Sequence, residues 1–250
     1  MVMERILSML ATCGTDSPLF PPTDLYNEGW LLRLVLDWFS THDVPGQPLT
    51  LLESARWFSE ALLPSAFLAR RRGDPLAEGW THADGVIGHF EIGNVGKGDL
   101  SVLRNARQLV VLEAKMFSTL SSGISKADYF DQAARSVACI AETLKRANRR
   151  PADLSRLGFY VLAPRSQVAD GVFDQEMDLE SIAGKVARRV REYGDQDKDR
   201  WHTDWFQPTI DTIDIGVLRW EDMVGTIGEH DAESGDAINE FYDLCVEHNQ

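Results

Sequence analysis

The sequence lacks the features that mark several common classes of protein. Its three cysteines, Cys13, Cys139 and Cys245, are far apart and show no spacing typical of zinc ligands or of a disulfide framework. Its six histidines are scattered without HxxxH or HxH spacing. Long apolar runs are absent, and the opening segment MVMERILSMLATCG has charged residues inside its short apolar stretch. We therefore expect a cytoplasmic protein with neither a zinc site nor a contact with the membrane.

Basic side chains are also scarce relative to acidic ones. There are 25 Lys and Arg residues against 39 Asp and Glu residues, which gives a formal net charge of −14. This balance argues against an extended surface for nucleic acid or for anionic membranes. Residues 216–250 hold nine of the acidic residues and a single basic one, so the acidic C-terminal region is the predicted contact for any protein partner. Short clusters of basic residues elsewhere in the chain leave local surface that could contact phosphate.

Periodic apolar residues predict a helical N-terminal third. Helices are expected at residues 3–11, at 23–42 after the Pro21-Pro22 start signal, and at 49–63 in LTLLESARWFSEALL. From about residue 80 the pattern changes to short apolar runs rich in β-branched residues, GVIGHFEI, DLSVLR and QLVVLEAK. These runs predict three consecutive antiparallel strands.

A long helix is predicted to begin at Ser125 and to end before Pro151. A strand at 157–164, a helix at 179–193, a strand near 212–219 and a helix from about 233 follow. The order predicts an α/β fold in which helices flank a mixed central β-sheet. A chain of 250 residues with no long linker is expected to form one domain over 1–250.

The segment GKGDLSVLRNARQLVVLEAKM carries the most informative chemistry. Asp99 begins one predicted strand, and Glu113-Ala114-Lys115 ends the next. A hairpin turning near residues 105–106 would bring Asp99 close to Glu113, and strand alternation puts Glu113 and Lys115 on one face. Two adjacent carboxylates favour a hard divalent cation such as Mg²⁺ or Mn²⁺. Such an ion with a nearby lysine predicts phosphodiester hydrolysis.

Asp99 followed by QLVVLEAK resembles the signature of the PD-(D/E)xK nuclease superfamily over roughly residues 22–165. The resemblance implies a restriction-endonuclease-like core with a helical N-terminal extension, and an acidic C-terminal elaboration at about 166–250. It implies Mg²⁺-dependent cleavage of DNA by an endonuclease, in a setting such as bacterial antiviral defence or a mobile element. Asp99 and Glu113 would bind the metal, and Lys115 would assist the attacking water.

The same resemblance suggests further site residues. Many members place a glutamine on the helix after this strand, which indicates Gln132, on one predicted helix face with Tyr129 and Arg135. Many also direct a glutamate from an upstream helix to the metal, and Glu28 is the first candidate and Glu60 the second. Asp84 in THADGVIG is a rival for the metal-binding acid, although 29 residues separate it from Glu113, too many for adjacent hairpin strands.

Other interpretations stay open. Glu113 and Lys115 could form an ordinary ion pair on an edge strand. The chain could be a non-catalytic or partner-activated interaction subunit that keeps the nuclease fold and binds a protein through its acidic C-terminal region. Phosphodiester chemistry does not distinguish DNA from RNA, and cleavage of both strands by a one-site domain is compatible with a homodimer.

Overall fold

A mixed five-stranded β-sheet forms the centre of the molecule in a computed structural model that describes residues 2–74, 76–93, 96, 98–123 and 127–250. The strand order is β1-β2-β5-β6-β7, and β3 and β4 form a separate two-stranded sheet. In chain order the strands are β1 (Arg56–Leu63), β2 (Thr81–Gly88), β3 (Phe90–Ile92), β4 (Leu100–Val102), β5 (Gln108–Ala114), β6 (Arg156–Ala163) and β7 (Asp214–Arg219).

The strand pairing differs from the predicted one at the site-bearing segment. GVIGHFEI is divided at Gly88-His89 into the end of β2 and β3, and β4 pairs back onto β3. Strand β5 therefore pairs antiparallel with β2 rather than with β4, while β5, β6 and β7 are parallel. The prediction of three consecutive antiparallel strands is wrong because the β3–β4 hairpin is an insertion between two neighbouring strands of the main sheet.

Helices cover both faces of the sheet, and none in the described part of the chain is long and apolar enough to cross a membrane. Several predicted elements are confirmed, including the strands at β6 and β7 and the helix at 179–193. The α-helices are α1 (Val2–Leu10), α2 (Glu28–Thr41), α3 (Gln132–Ala147), α4 (Arg165–Ala169), α5 (Leu179–Tyr193), α6 (Gln196–Trp201), α7 (Gln207–Ile210), α8 (Trp220–His230) and α9 (Ala232–Asn249).

Two predicted helices are corrected. The segment 49–63 contains β1 instead of a helix, because aromatic and aliphatic residues from Trp57 onward pair along β2. The helix predicted from Ser125 begins at Gln132 as α3, where the Asp131 side chain caps it by accepting from the Ala134 N–H at 3.0 Å. Ser125 itself lies outside the described residues.

The two faces of the sheet pack against different helices. Leu109 and Val111 of β5 join a hydrophobic cluster with α3 and α5. Val110 and Leu112 join the opposite cluster with α2, α8 and α9. Because β5 is covered on both faces, its sequence is a continuous apolar run rather than an alternating one. Glu113 has the same parity as Val111 and therefore points toward α3.

Candidate metal-binding and catalytic site

Strands β2 and β5 separate just beyond the pair Gly85–Leu112. The next residues in the same register are Asp84 and Glu113, which therefore lie opposite each other at the open end of the two strands. The Ala114 N–H, at the end of β5, donates a hydrogen bond to Asp84 Oδ2 at 2.7 Å. The Asp84 carboxylate thus occupies the gap between the strands, where a backbone carbonyl would otherwise accept.

Glu113 is the buried member of the pair, with an exposure of 1%. Its Oε2 accepts a hydrogen bond from Gln132 Nε2 at 2.6 Å and lies 3.9 Å from Lys115 Nζ. The prediction that Glu113 and Lys115 share one face of the strand is confirmed by this contact. Burial raises the pKa of Glu113 well above its ordinary range, and the charge of Asp84 raises it further against the opposing effect of Lys115.

Gln132 is held in one orientation by the loop that precedes α3. Its Oε1 accepts from the Ser121 N–H at 3.1 Å, and its backbone N–H donates to Ser121 O at 2.9 Å. With the side-chain oxygen engaged by Ser121, the amide nitrogen is directed at Glu113. Arg135, one turn further along α3, donates from Nη2 to Ser121 Oγ at 3.2 Å. The loop and the first turn of α3 therefore fix the position of the buried carboxylate.

Lys115 directly follows Ala114, the last residue of β5. Its N–H donates to Leu162 O of β6 at 2.8 Å, and its carbonyl accepts from Trp220 Nε1 of α8 at 2.9 Å. Its side chain is 14% exposed, so the ammonium group lies at the rim of the site. Backbone bonds on both sides of Lys115 thus hold the residue where its amine lies beside the Glu113 carboxylate.

One oxygen of the buried carboxylate is left unsatisfied. Glu113 Oε1 is buried and accepts no hydrogen bond among the described residues, and the neighbouring Asp84 carboxylate can share a hydrogen bond with Glu113 only when one of the two acids is protonated. An unpaired buried carboxylate oxygen costs free energy, and a second carboxylate nearby adds repulsion. Within the described ranges, no group of three or more His, Cys, Asp and Glu side chains is placed to hold a metal ion, so the acid pair would be only part of any coordination shell.

The structure places Asp99 away from Glu113. Asp99 forms an isolated parallel bridge with Leu62, and the Leu62 N–H donates to Gly98 O, on the edge of β1 that faces away from β2. Strands β1 and β2 therefore separate Asp99 from β5. Asp99 also lines a cleft with Thr143 of α3, about three helical turns from Gln132. The predicted pairing that brought Asp99 beside Glu113 is wrong.

The two upstream glutamates do not contact the acid pair in the structure. Glu28 begins α2, which packs on the opposite face of the sheet, and it lies near Cys245 of α9. Burial, with a smaller contribution from Glu28, raises the pKa of the Cys245 thiol to about 12. Glu60 is on β1, next to β2, but its carboxylate contacts Arg33 at 3.4 Å and His82 at 4.0 Å.

Tyr129 is also separated from the acid pair. It precedes α3 instead of sharing a helix face with Gln132, and its hydroxyl donates to Glu192 of α5. Its ring lies 3.6 Å from the Arg188 guanidinium carbon. Burial, followed by the hydrogen bond to Glu192, raises the pKa of Tyr129 to about 12. Tyr129 therefore joins α3 to α5 and leaves Gln132 as the residue of that segment in contact with Glu113.

Asp84 is a weaker candidate than Asp99 in the sequence only if neighbouring strands of the sheet are consecutive in the chain. The separation of 29 residues excludes a simple hairpin but not a pair of strands with a small hairpin inserted between them. The available signal is Gly88, which interrupts the apolar run GVIGHFEI and marks the point where β2 ends.

Comparison with protein-family models, with curated proteins and with solved structures gives no match.

Proposed function

We propose that the protein is a metal-dependent deoxyribonuclease of the PD-(D/E)xK type, with Asp84 in place of the predicted Asp99. The observation that carries the proposal is the meeting of Asp84, Glu113 and Lys115 where β2 and β5 separate. A mixed sheet with parallel β5 and β6 and with α3 between them in the chain is compatible with a restriction-endonuclease-like core.

The acid pair fits a divalent cation. Asp84 and Glu113 would hold it, and the unsatisfied Glu113 Oε1 is an oxygen donor of the kind that Mg²⁺ and Mn²⁺ accept. Two carboxylates complete only part of an octahedral shell, which is typical of Mg²⁺ sites that share their ion with water and substrate phosphate. When bound, the ion would polarise the phosphodiester and lower the pKa of a coordinated water molecule.

The remaining residues position groups and stabilise charge. Lys115 Nζ, at the rim of the site, can orient the attacking water and stabilise negative charge that develops on the phosphate oxygens. Gln132 keeps the Glu113 carboxylate in one orientation through its bond at 2.6 Å, so we assign it a positioning role. Lys115 and the two acids are thus the catalytic group, and Gln132 supports it.

Cleavage of supercoiled plasmid and single-stranded DNA in Mg²⁺ or Mn²⁺ tests the proposal. Native protein should cut in a metal-dependent manner, and Asp84→Asn and Lys115→Met should each lower the rate at least about 100-fold. Lys145→Met is a matched control, because Lys145 pairs with Glu142 near the far end of α3. No cutting by folded native protein, with no metal-induced rise in its unfolding temperature, would instead favour the interaction subunit.

A further inference from the structure

A cleft of about 330 Å³ adjoins the acid pair. Its wall is formed by the segment from Ala77 to His82, which ends in β2 two residues before Asp84, and by Gln132 and Arg135 of α3. Gln132 also donates a hydrogen bond to Glu113, so the cleft and the carboxylates share a boundary. A nucleic acid bound with one phosphodiester at the two acids would therefore have a neighbouring nucleotide next to this cleft.

An aromatic ring lies at the far end of the cleft. Trp80 is half-buried and lines both this cleft and the next one along α3. The guanidinium carbon of Arg146 lies 5.5 Å from the centre of the Trp80 ring. A partly exposed indole beside a cation is a surface on which a nucleic acid base can stack whatever its sequence.

Arg135 supplies a cation between Trp80 and the acid pair. Its Nε is buried and has no hydrogen-bond partner among the described residues, while its Nη2 donates to Ser121 Oγ. The acidic residues Glu78 and Glu142 of this region are themselves ion-paired, Glu78 with Arg189 and Glu142 with Arg146. Arg135 is also close enough to Glu78 for their charges to interact, and burial raises the pKa of Glu78, which lessens the competition of this carboxylate with a phosphate for Arg135.

We infer that this cleft binds an unpaired nucleotide, with its base on Trp80 and its phosphate near Arg135, so that the enzyme prefers single-stranded DNA to duplex. This inference rests on the proposed nuclease function. The size of the cleft suits one nucleotide, and a net charge of −14 disfavours the broad basic surface that duplex binding uses. Stacking of a base on an aromatic ring adds affinity that does not depend on charge.

Binding measured apart from cleavage tests the inference. The probe is a fluorescein-labelled 12-mer of single-stranded DNA, compared with its own duplex by fluorescence anisotropy in Ca²⁺ at low salt. Native protein should bind the single strand at least tenfold more tightly than the duplex. Trp80→Ala should weaken single-strand binding about tenfold, and Trp80→Phe should retain most of the affinity because it keeps a ring.

The chain offers two matched controls. Trp30 is 41% exposed and also lies beside a guanidinium group, that of Arg33, but it is on α2 across the sheet, so Trp30→Ala should leave binding unchanged. Gly79 lines the cleft, and a side chain at this position would enter open space. Gly225 of α8 also has open space around its Cβ position, but it lies on the other face of the sheet. Gly79→Glu should weaken binding at least fivefold through repulsion of phosphate, whereas Gly225→Glu should not.

Equal affinity for single strand and duplex would overturn the inference, as would equal effects of Trp80→Ala and Trp30→Ala. A single-stranded RNA of the same sequence distinguishes the sugar, and much tighter binding to RNA than to DNA would overturn the choice of DNA. Failure of the nuclease proposal is distinguishable, because it appears as absent cleavage and absent metal binding while the anisotropy comparison still reports strand preference.

Discussion

At the scale of single residues, the site combines two carboxylates that the protein forces together with one lysine and one glutamine. Glu113 is buried, faces Asp84 and keeps one oxygen without a partner among the described residues. Such an arrangement lowers the stability of the folded protein unless a metal ion is bound. Residues that form a binding site often reduce stability in this way.

We predict that Glu113→Gln stabilises the metal-free protein at neutral pH by about 1–2 kcal/mol, because it removes a buried charge beside Asp84. The pKa of Glu113 is higher in the folded protein than in the unfolded chain. Glu113 therefore does not lower stability at a pH below the ordinary pKa of glutamate, and its destabilising effect grows as the pH rises from there toward the raised pKa. The gain from Glu113→Gln should therefore grow with pH in urea unfolding curves. Glu60→Gln, at a half-exposed side chain, should change stability by no more than about 0.5 kcal/mol. A less stable Glu113→Gln protein in EDTA would contradict this account.

Gln132 can be tested separately from the acids. Gln132→Met removes the bond to Glu113 and leaves the Ser121 N–H without its acceptor, which should lower stability by about 1–3 kcal/mol. If Gln132 acts through Glu113, the Gln132→Met variant should bind metal more weakly. Unchanged metal affinity in Gln132→Met would limit Gln132 to a structural role.

At the scale of elements, the inserted β3–β4 hairpin decides which acid meets Glu113. It leaves β2 at Gly88, where a Cβ atom would lie 2.2 Å from Gln108 O of β5 at a φ of +155°. Gly88→Ala should therefore destabilise the protein by at least about 2 kcal/mol in urea unfolding. Gly225→Ala, at a position open to solvent, is the matched control and should be neutral or slightly stabilising. A Gly88→Ala protein as stable as the native one would show that the backbone at Gly88 can move away from β5 without loss of stability.

Helix α1 is an element of another kind, since all nine of its residues are at least partly exposed. Deleting residues 1–10 should shift the unfolding temperature by less than about 2 °C, because little apolar area leaves contact with the core. Ending the chain before α9 should instead cause a large loss, because Ile238, Tyr242 and Cys245 are buried there. A comparable loss from both truncations in thermal unfolding would mean that α1 contributes packing in solution.

The sequence predicted best those elements that are determined locally. Helix α5 has a strong helical period from Leu179 to Tyr193, and β6 is an apolar run of strand length, so both were placed closely. Helix α8 was missed because it follows β7 without a break and contains Gly225 and Gly228. The pairing of Asp84 with Glu113 depends on contacts between distant segments, and local periodicity carries no information on which strands become neighbours.

At the scale of the whole molecule, the charge of −14 constrains how nucleic acid can bind. If binding depends on Arg135 and a few neighbouring cations, the affinity for single-stranded DNA should fall only gently with salt. We predict a slope of log K against log [KCl] of about −2 between 50 and 200 mM, measured by anisotropy. A slope of about −6 or steeper would show that an extended basic surface makes the contacts instead.

Asp84 and Glu113, rather than Asp99, are proposed to form the metal site beside Lys115. Isothermal titration of the metal-free protein with Mn²⁺ tests it most directly, on the native chain and on Asp84→Asn, Glu113→Gln and Asp99→Asn. We expect one Mn²⁺ site in the native protein, loss of this site in the first two variants and its retention in Asp99→Asn. Retention of Mn²⁺ binding in Asp84→Asn together with its loss in Asp99→Asn would contradict the account.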